Sequence, residues 1–251
     1  GRTGVVTPVA ELEPVECAAV VIKHSTLHNF DEIKRLGLKI GDKVVIERAG
    51  EVIPKIVKAL IGERSGKEVD FHVPKTCPVC GSKIAKEKVE DVAYRCNNPS
   101  CPAQLERGLV HFASRQAMDI EGLGESAVEQ LVRKKMVKDF ADIYALKKED
   151  LLKLDLFKDK KSENLLIAIE RSKKQPLSRF LYALGIRHVG EKAAFVLARE
   201  FKTLDRIMAS GKEDFDGIYE VGSVMAESIE EFFKDQNSKQ LITKLVASGL
   251  N

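Results

Sequence analysis

The chain has no tryptophan, only four tyrosines and eleven phenylalanines. That argues against a single-strand nucleic-acid binder, which needs aromatic platforms for successive bases. No apolar run reaches the roughly 18 residues that a bilayer-spanning helix needs. The polar start Gly1-Arg2-Thr3-Gly4 is followed by no apolar signal segment. No membrane association and a cytoplasmic location are therefore expected. Charge of one sign is also lacking: 41 Lys and Arg face 38 Asp and Glu, a formal net charge of +3. Residues 1–116 hold 18 basic and 15 acidic side chains, and residues 117–251 hold 23 of each. The second half is not a basic slab, so any phosphate recognition there must rest on backbone N–H groups and local geometry.

Cysteine is sparse but patterned. Cys17 stands apart, and the other four lie in the spacing Cys77-x2-Cys80-x15-Cys96-x4-Cys101. An odd count with one tight cluster, in a chain without an export signal, points to metal rather than disulfides. Pro78, Gly81 and Asn97-Asn98-Pro99 supply turn formers around the two short pairs. Four thiolates complete a tetrahedral zinc sphere and leave no position for water, so the expected ion is structural Zn2+. Cys17 sits in an apolar run and is expected to be a buried core thiol. His72 is expected to be an ordinary strand or loop residue.

Three regions follow, giving a multi-domain α+β chain. Residues 1–73 read as a small closed β-barrel. Cys17–Ile22 and Lys43–Ile46 are β-branched runs, Ile40-Gly41-Asp42 marks a turn, and Asp31–Leu36 is a short helix closed by Gly37. Residues 74–116 hold the cysteines and a connecting helix that starts at Pro102 and shows Leu105, Leu109, Phe112 and Ala113 on one face. Residues 117–251 read as helical, with Gln175-Pro176 as the best internal break.

The helical region repeats itself. Four segments align: Ile120, Leu123, Gly124 with Ala127; Leu154, Phe157, Lys158, Ser162; Ile186, Val189, Gly190, Ala194; and Ile218, Val221, Gly222, Ala226. The third members are 34, 32 and 32 residues apart. The pattern predicts two helices joined by a tight turn. The glycines Gly124, Gly190 and Gly222 supply positive φ, an apolar residue plugs the core, and a small residue allows close helix packing. The second helix then offers free N–H groups and its dipole to a phosphate. Only the first segment has both glycines, Gly122 and Gly124; His188 and Glu220 replace the first in two others. The second segment has Leu156 and Lys158 instead, so its hairpin is expected to be structural or to use Lys158 as a point charge.

These segments resemble helix-hairpin-helix motifs, and the order of parts resembles the bacterial NAD-dependent DNA ligases over essentially the whole chain. The similar stretches include Gly1–Ala10, Thr26–Asn29, Arg48–Pro54, Cys77–Cys80, Cys96–Pro102, Met118–Gly124 and Leu184–Glu191. The resemblance implies an OB-fold, apparently without its first strand, then a four-cysteine zinc finger and four tandem hairpins. It implies a nick-sealing parent enzyme active in replication and repair that uses NAD and Mg2+. Its lysine nucleophile belongs to a Lys-x-Asp-Gly motif that does not occur in these 251 residues. No catalytic residue is therefore expected here, and the chain is expected to be inactive alone, as a fragment would be. The implied partner is nicked duplex DNA, and the chain is expected to be monomeric. Arg2 and Thr3 are the first candidates for phosphate contact and Arg48 the next, with Val52 and Ile53 as apolar contacts. Gly122, Gly124, Gly190 and Gly222 are the candidates in the hairpins. His28 is expected to serve a turn or helix cap. The competing expectation is a non-enzymatic junction-binding protein that joins an OB-fold to hairpins.

Overall fold

The computed structural model describes residues 1–17, 20–47 and 54–250. Arg48, Val52 and Ile53 therefore lie outside the described residues. The chain divides into two compact units, Gly1 with Thr3–Cys101 and Arg2 with Pro102–Asn251.

In the first unit, β1 (Val9–Cys17), β2 (Val20–Thr26), β4 (Val44–Glu47) and β5 (Lys55–Ala59) form one sheet in the order β1-β2-β5-β4. β1 and β2 are antiparallel, β2 meets β5 in parallel at Thr26 and Lys55, and β5 and β4 are antiparallel. β3 (Lys39–Ile40) pairs separately with β6 (Val69–Asp70). The expected barrel is thus an open half-barrel among the described residues. The Cys17–Ile22 run is not one strand: Cys17 ends β1 and pairs with Val20 at the start of β2. Cys17 is also only half-buried, and its neighbours Val15, Val20 and Val21 are exposed. Apolar composition without alternation hid that edge.

Helix α1 (Phe30–Leu36) starts because the Asn29 side chain accepts from the Glu32 N–H at 2.8 Å, and it stops at left-handed Gly37. The cap is Asn29; His28 stands before it in a left-handed turn, its N–H donating to Thr26 Oγ1. In the turn before β4, Asp42 accepts two bonds from Arg64 at 2.7 Å and one from the Lys39 N–H at 2.8 Å. The Arg64 guanidinium holds the Asp42 carboxyl below the usual carboxylate range. The core gathers Leu27, Phe30, Ile33 and Ile56. Phe30 stacks on Phe71 at 5.9 Å and meets the edge of Tyr94 at 5.3 Å. The apolar core of the half-barrel thereby extends into the cysteine-bearing segment, which adds β7 (Ile84–Ala85) paired with β8 (Arg95–Cys96).

The second unit is helical. It contains α2 (Pro102–Ala113), α3 (Glu125–Arg133), α4 (Lys148–Leu151), α5 (Asp159–Ser172), α6 (Leu177–Leu184), α7 (Glu191–Phe201), α8 (Leu204–Ala209), α9 (Lys212–Asp216), α10 (Ser223–Lys234) and α11 (Gln236–Ala247). Pro102 opens α2 because the first helical position needs no N–H bond. Leu109, Phe112 and Ala113 are buried, with Leu105 packed against them. Through this face α2 joins the helical unit as the first helix of the first hairpin. Ser172 ends α5 and Pro176 precedes α6, at the predicted break. One core runs through all the hairpins, with Phe112, Phe180 and Phe215 fully buried. Among the described residues no helix is long and apolar enough to cross a membrane.

Phe30 is 3% exposed and touches both aromatic neighbours. Phe30→Ala is expected to cost the first unit about 3–5 kcal/mol in urea unfolding. A loss below about 1 kcal/mol would show that this ring does not anchor the core.

Candidate metal centre and nucleic-acid interface

The sequence spacing brings the four cysteines to one point. The Cys77, Cys80, Cys96 and Cys101 sulfurs all lie within 4.8 Å of one another. Cys77 and Cys101 are 4.0 Å apart, and Cys80 and Cys96 are 3.5 Å apart. A tetrahedron of zinc–sulfur bonds near 2.3 Å has edges of about 3.8 Å, so the four donors fit that ion. Two knuckles hold them. The Cys77 N–H donates to Ser82 O at 2.7 Å, and the Gly81 N–H donates back to Cys77 O at 2.9 Å. Gly81 has φ 71°, which a side chain would strain. On the other side the Cys101 N–H donates to Asn98 O at 3.1 Å.

Two of the thiols are pushed in opposite directions. Hydrogen bonds from Ser82 pull Cys80 down to about 6, and burial pushes Cys96 up to about 12. A cation among the sulfurs supplies what burial withholds, because it stabilises all four as thiolates. His72 is exposed in a loop and is not part of the cluster.

The cysteine module is zipped to the start of the chain. The Val6 N–H donates to Tyr94 O at 2.9 Å, the Cys96 N–H donates to Gly4 O at 2.9 Å, and Val5 bridges Arg95. Arg2 and Thr3 lie in the turn closed by the Gly4 N–H on Gly1 O at 3.0 Å. Nothing in the cysteine spacing signals this pairing.

The four hairpins share one geometry. In each, the plug residue donates its N–H three residues back: Leu123 to Ile120 O, Phe157 to Leu154 O, Val189 to Ile186 O and Val221 to Ile218 O, at 3.0–3.2 Å. All four plugs are buried. The positive φ falls two residues before the expected glycine, at Gly122 (90°), Leu156 (63°), His188 (66°) and Glu220 (74°). Three of these are not glycine and hold a conformation that costs a side chain about 1–2 kcal/mol. Gly124, Lys158, Gly190 and Gly222 instead have φ between −122° and −83° with extended ψ, which any residue adopts. Lys158 replaces glycine there without strain. A Cβ at Gly124, Gly190 or Gly222 would meet nothing within 4 Å. The position expected to be small is Ser162, Ala194 or Ala226 in three hairpins, all fully buried, but Val128 in the first. Ala127, named for that role, is one residue off the register.

Four second helices therefore begin alike at Glu125, Asp159, Glu191 and Ser223, and none has a side-chain cap. By contrast α1, α8 and α11 are capped by Asn29, Thr203 and Asp235. The hairpin helices keep their first N–H groups open. Charge distinguishes them. Glu125 is paired with Arg107 at 2.6 Å and Asp159 with Lys148 at 2.8 Å, while α10 has no acid in its first turn. Lys192 on α7 reaches Glu220, the left-handed residue of the fourth hairpin, at 2.7 Å. On the second hairpin, Lys161 lies 4.1 Å over the Phe157 ring.

Known proteins carry the same parts. Residues 1–68 match the NAD-dependent DNA ligase OB-fold domain, and residues 76–103 match the NAD-dependent DNA ligase C4 zinc finger domain. Both matches are to domains of one family, the NAD-dependent DNA ligases. Residues 179–242 match a helix-hairpin-helix motif, which covers the third and fourth hairpins. The first two hairpins join them by geometry. All 251 residues align with proteins named DNA ligase, at 51% identity in Endomicrobium trichonymphae, 49% in Trichlorobacter lovleyi and 47% in Bacillus cytotoxicus. In each case the chain spans 37% of the relative's length. The ligase zinc-finger match covers all four cysteines, which agrees with a structural zinc ion.

The purified chain is expected to hold about one zinc per molecule, and Cys96→Ser is expected to release most of it. Elemental analysis finding less than half an equivalent in the unaltered chain would contradict the four-sulfur site.

Proposed function

We propose that this chain is the DNA-gripping portion of a nick-sealing, NAD-dependent DNA ligase. The observation that carries this reading is the fourfold repeat of uncapped helix starts beside a ligase OB-fold and zinc finger. Each start presents backbone N–H groups and the positive end of a helix dipole, a setting that favours phosphate. Such donors are indifferent to base sequence. They also need no basic surface, which suits a helical half with equal numbers of acidic and basic residues.

In this reading the work is divided among three modules: residues 1–73, 74–116 and 117–251. Arg2 and Thr3 contact phosphates beside the nick, Arg as a fork and Thr as a hydroxyl donor. Arg48, with Val52 and Ile53, adds contacts to the backbone and sugars from outside the described residues. Gly122 allows the first hairpin its tight turn. Gly124, Gly190 and Gly222 leave the helix starts bare so that a phosphate can approach. The fourth hairpin, with no acid in its first turn, is the most favourable anion site of the four. Lys158 places a side chain where the others have none, so the second hairpin meets phosphate through charge or serves structure. The zinc ion holds the finger's shape and takes no part in chemistry. NAD and Mg2+ act in the parent enzyme, where a lysine takes AMP from NAD, AMP passes to the 5′-phosphate, and the 3′-hydroxyl displaces it. The Lys-x-Asp-Gly nucleophile motif is absent from these residues. The protein acts as a monomer in the cytoplasm, at the nucleoid.

Binding of the zinc-loaded chain to nicked duplex is expected to weaken as salt rises. Gly190→Val and Gly222→Val should each weaken it roughly fivefold, alike for every sequence, as loss of one good hydrogen bond would. Because no atom lies within 4 Å of the added Cβ, folding should survive. A preference for four-way junctions would favour a junction-binding protein, and a sequence-dependent loss would contradict backbone recognition.

Placed in the parent enzyme, Arg2→Ala or Arg48→Ala should slow nick sealing more than lysine adenylylation. Equal loss in both steps would refute the assigned contacts.

A further inference from the structure

The pairing between the cysteine module and the start of the chain gives the finger a second job. The Gly1–Gly4 turn has one wall formed by β8. Gly4 O accepts from the Cys96 N–H at 2.9 Å, and Thr3 O accepts from Arg95 Nη1 at 3.0 Å. The Val6 N–H donates to Tyr94 O at 2.9 Å on the same edge. Three consecutive residues of the finger, Tyr94, Arg95 and Cys96, thus hold Thr3, Gly4 and Val6. One of the three is a zinc ligand, so the metal's position and the turn's position are one backbone bond apart.

We infer that Arg95 is a positioning residue that sets Thr3 for its phosphate, with the zinc finger as the splint behind it. This rests on the proposed role of Thr3. Three observations favour positioning over direct contact. The Arg95 side chain is only 13% exposed, so it offers little to a partner. Its Nη1 donates to Thr3 O, and its Nε lies 3.4 Å from Glu87 Oε1. Both partners belong to the same compact unit, so the guanidinium is committed within the fold. A charge-assisted bond to the Thr3 carbonyl fixes the peptide plane between Thr3 and Gly4. That plane limits where the Thr3 hydroxyl can point.

The test uses the zinc-loaded 251-residue chain. Arg95→Met removes the donors but keeps an unbranched stem; Arg95→Lys keeps a charge and a donor that can reach Thr3 O. Hydrogen exchange is read at the Val6 and Cys96 amides, and zinc content and nicked-duplex affinity are measured beside it. Arg95→Met is expected to keep its zinc, to speed exchange at Val6 and to weaken DNA binding roughly fivefold. Arg95→Lys should recover most of both. In an Arg2→Ala, Thr3→Ala background, Arg95→Met should weaken binding no further, since its effect passes through that turn. Unchanged Val6 exchange in Arg95→Met overturns the proposal, and so does a full additional loss in the double-alanine background. If the double-alanine chain binds nicked duplex as tightly as the unaltered one, the phosphate reading of the turn fails instead. The exchange data then still decide whether Arg95 holds the turn. Should Arg95→Met shed zinc, Arg95→Lys with zinc retained and exchange still fast would equally refute the role.

Discussion

Four sulfurs crowded within 4.8 Å of one another are held as thiolates by a cation, and the first unit depends on that constraint. The cysteine segment has little else to hold it. Its strands β7 and β8 are two residues each, too short to stand as an isolated hairpin. The metal stands in for the missing hydrophobic core, as it does in other small zinc modules. What the metal fixes is then used twice. Tyr94 packs its ring edge on Phe30 in the half-barrel core, and Cys96 and Arg95 hold the Gly1–Gly4 turn by backbone and side-chain bonds. The finger is part of how the OB-fold is built.

The helical unit solves a different problem with a different constraint. A tight turn between two helices needs one residue in the left-handed region. Glycine takes that role only at Gly122, and Leu156, His188 and Glu220 bear the strain elsewhere. Leu156, 89% exposed, shows that the conformation is not bought with burial of its own side chain. The plug that follows it supplies the compensation, since Phe157, like Leu123, Val189 and Val221, is buried. Each turn delivers the next helix with extended backbone at its first residue and no side chain across its first N–H groups. Strain at the turn and openness at the helix start are two ends of the same four-residue device.

This also explains what could and could not be read from residues alone. Metal-ligand spacing is local and chemically narrow, so Cys77, Cys80, Cys96 and Cys101 declared themselves. The hairpins were legible because a repeat near 32 residues shows its pattern several times. Their mechanics were not. A glycine in three of the four copies invites the reading that it supplies positive φ, whereas Lys158 and these three unstrained glycines occupy extended backbone. The left-handed residue lies inside the turn closed by the Val221 N–H on Ile218 O or its equivalents, and side-chain identity at Leu156, His188 or Glu220 gives no sign of it. Cys17 misled for a similar reason. An apolar stretch marks a strand, yet exposure along it is decided by the edge and pairing partner, which no short window records. The Arg95–Thr3 bond spans 92 residues and had no local trace.

The near-neutral charge of the chain follows from the same division of labour. On the proposed reading, recognition through amides uses partial charges held in place by hydrogen-bonded helices, so acidic side chains can sit close by. Glu125 and Asp159 at two helix starts would repel phosphate if they stood alone, but Arg107 and Lys148 already hold them. Each pair leaves the local balance near zero and the backbone dipole unopposed. Under the proposed function, a side-chain contact is needed only where a single phosphate must be located, and Thr3, whose carbonyl accepts from Arg95, stands where the fold is tied down. On that reading a bare glycine would suffice where the contact is repeated along a uniform backbone, and a turn held by a metal-bound strand would suit the one point that must be found.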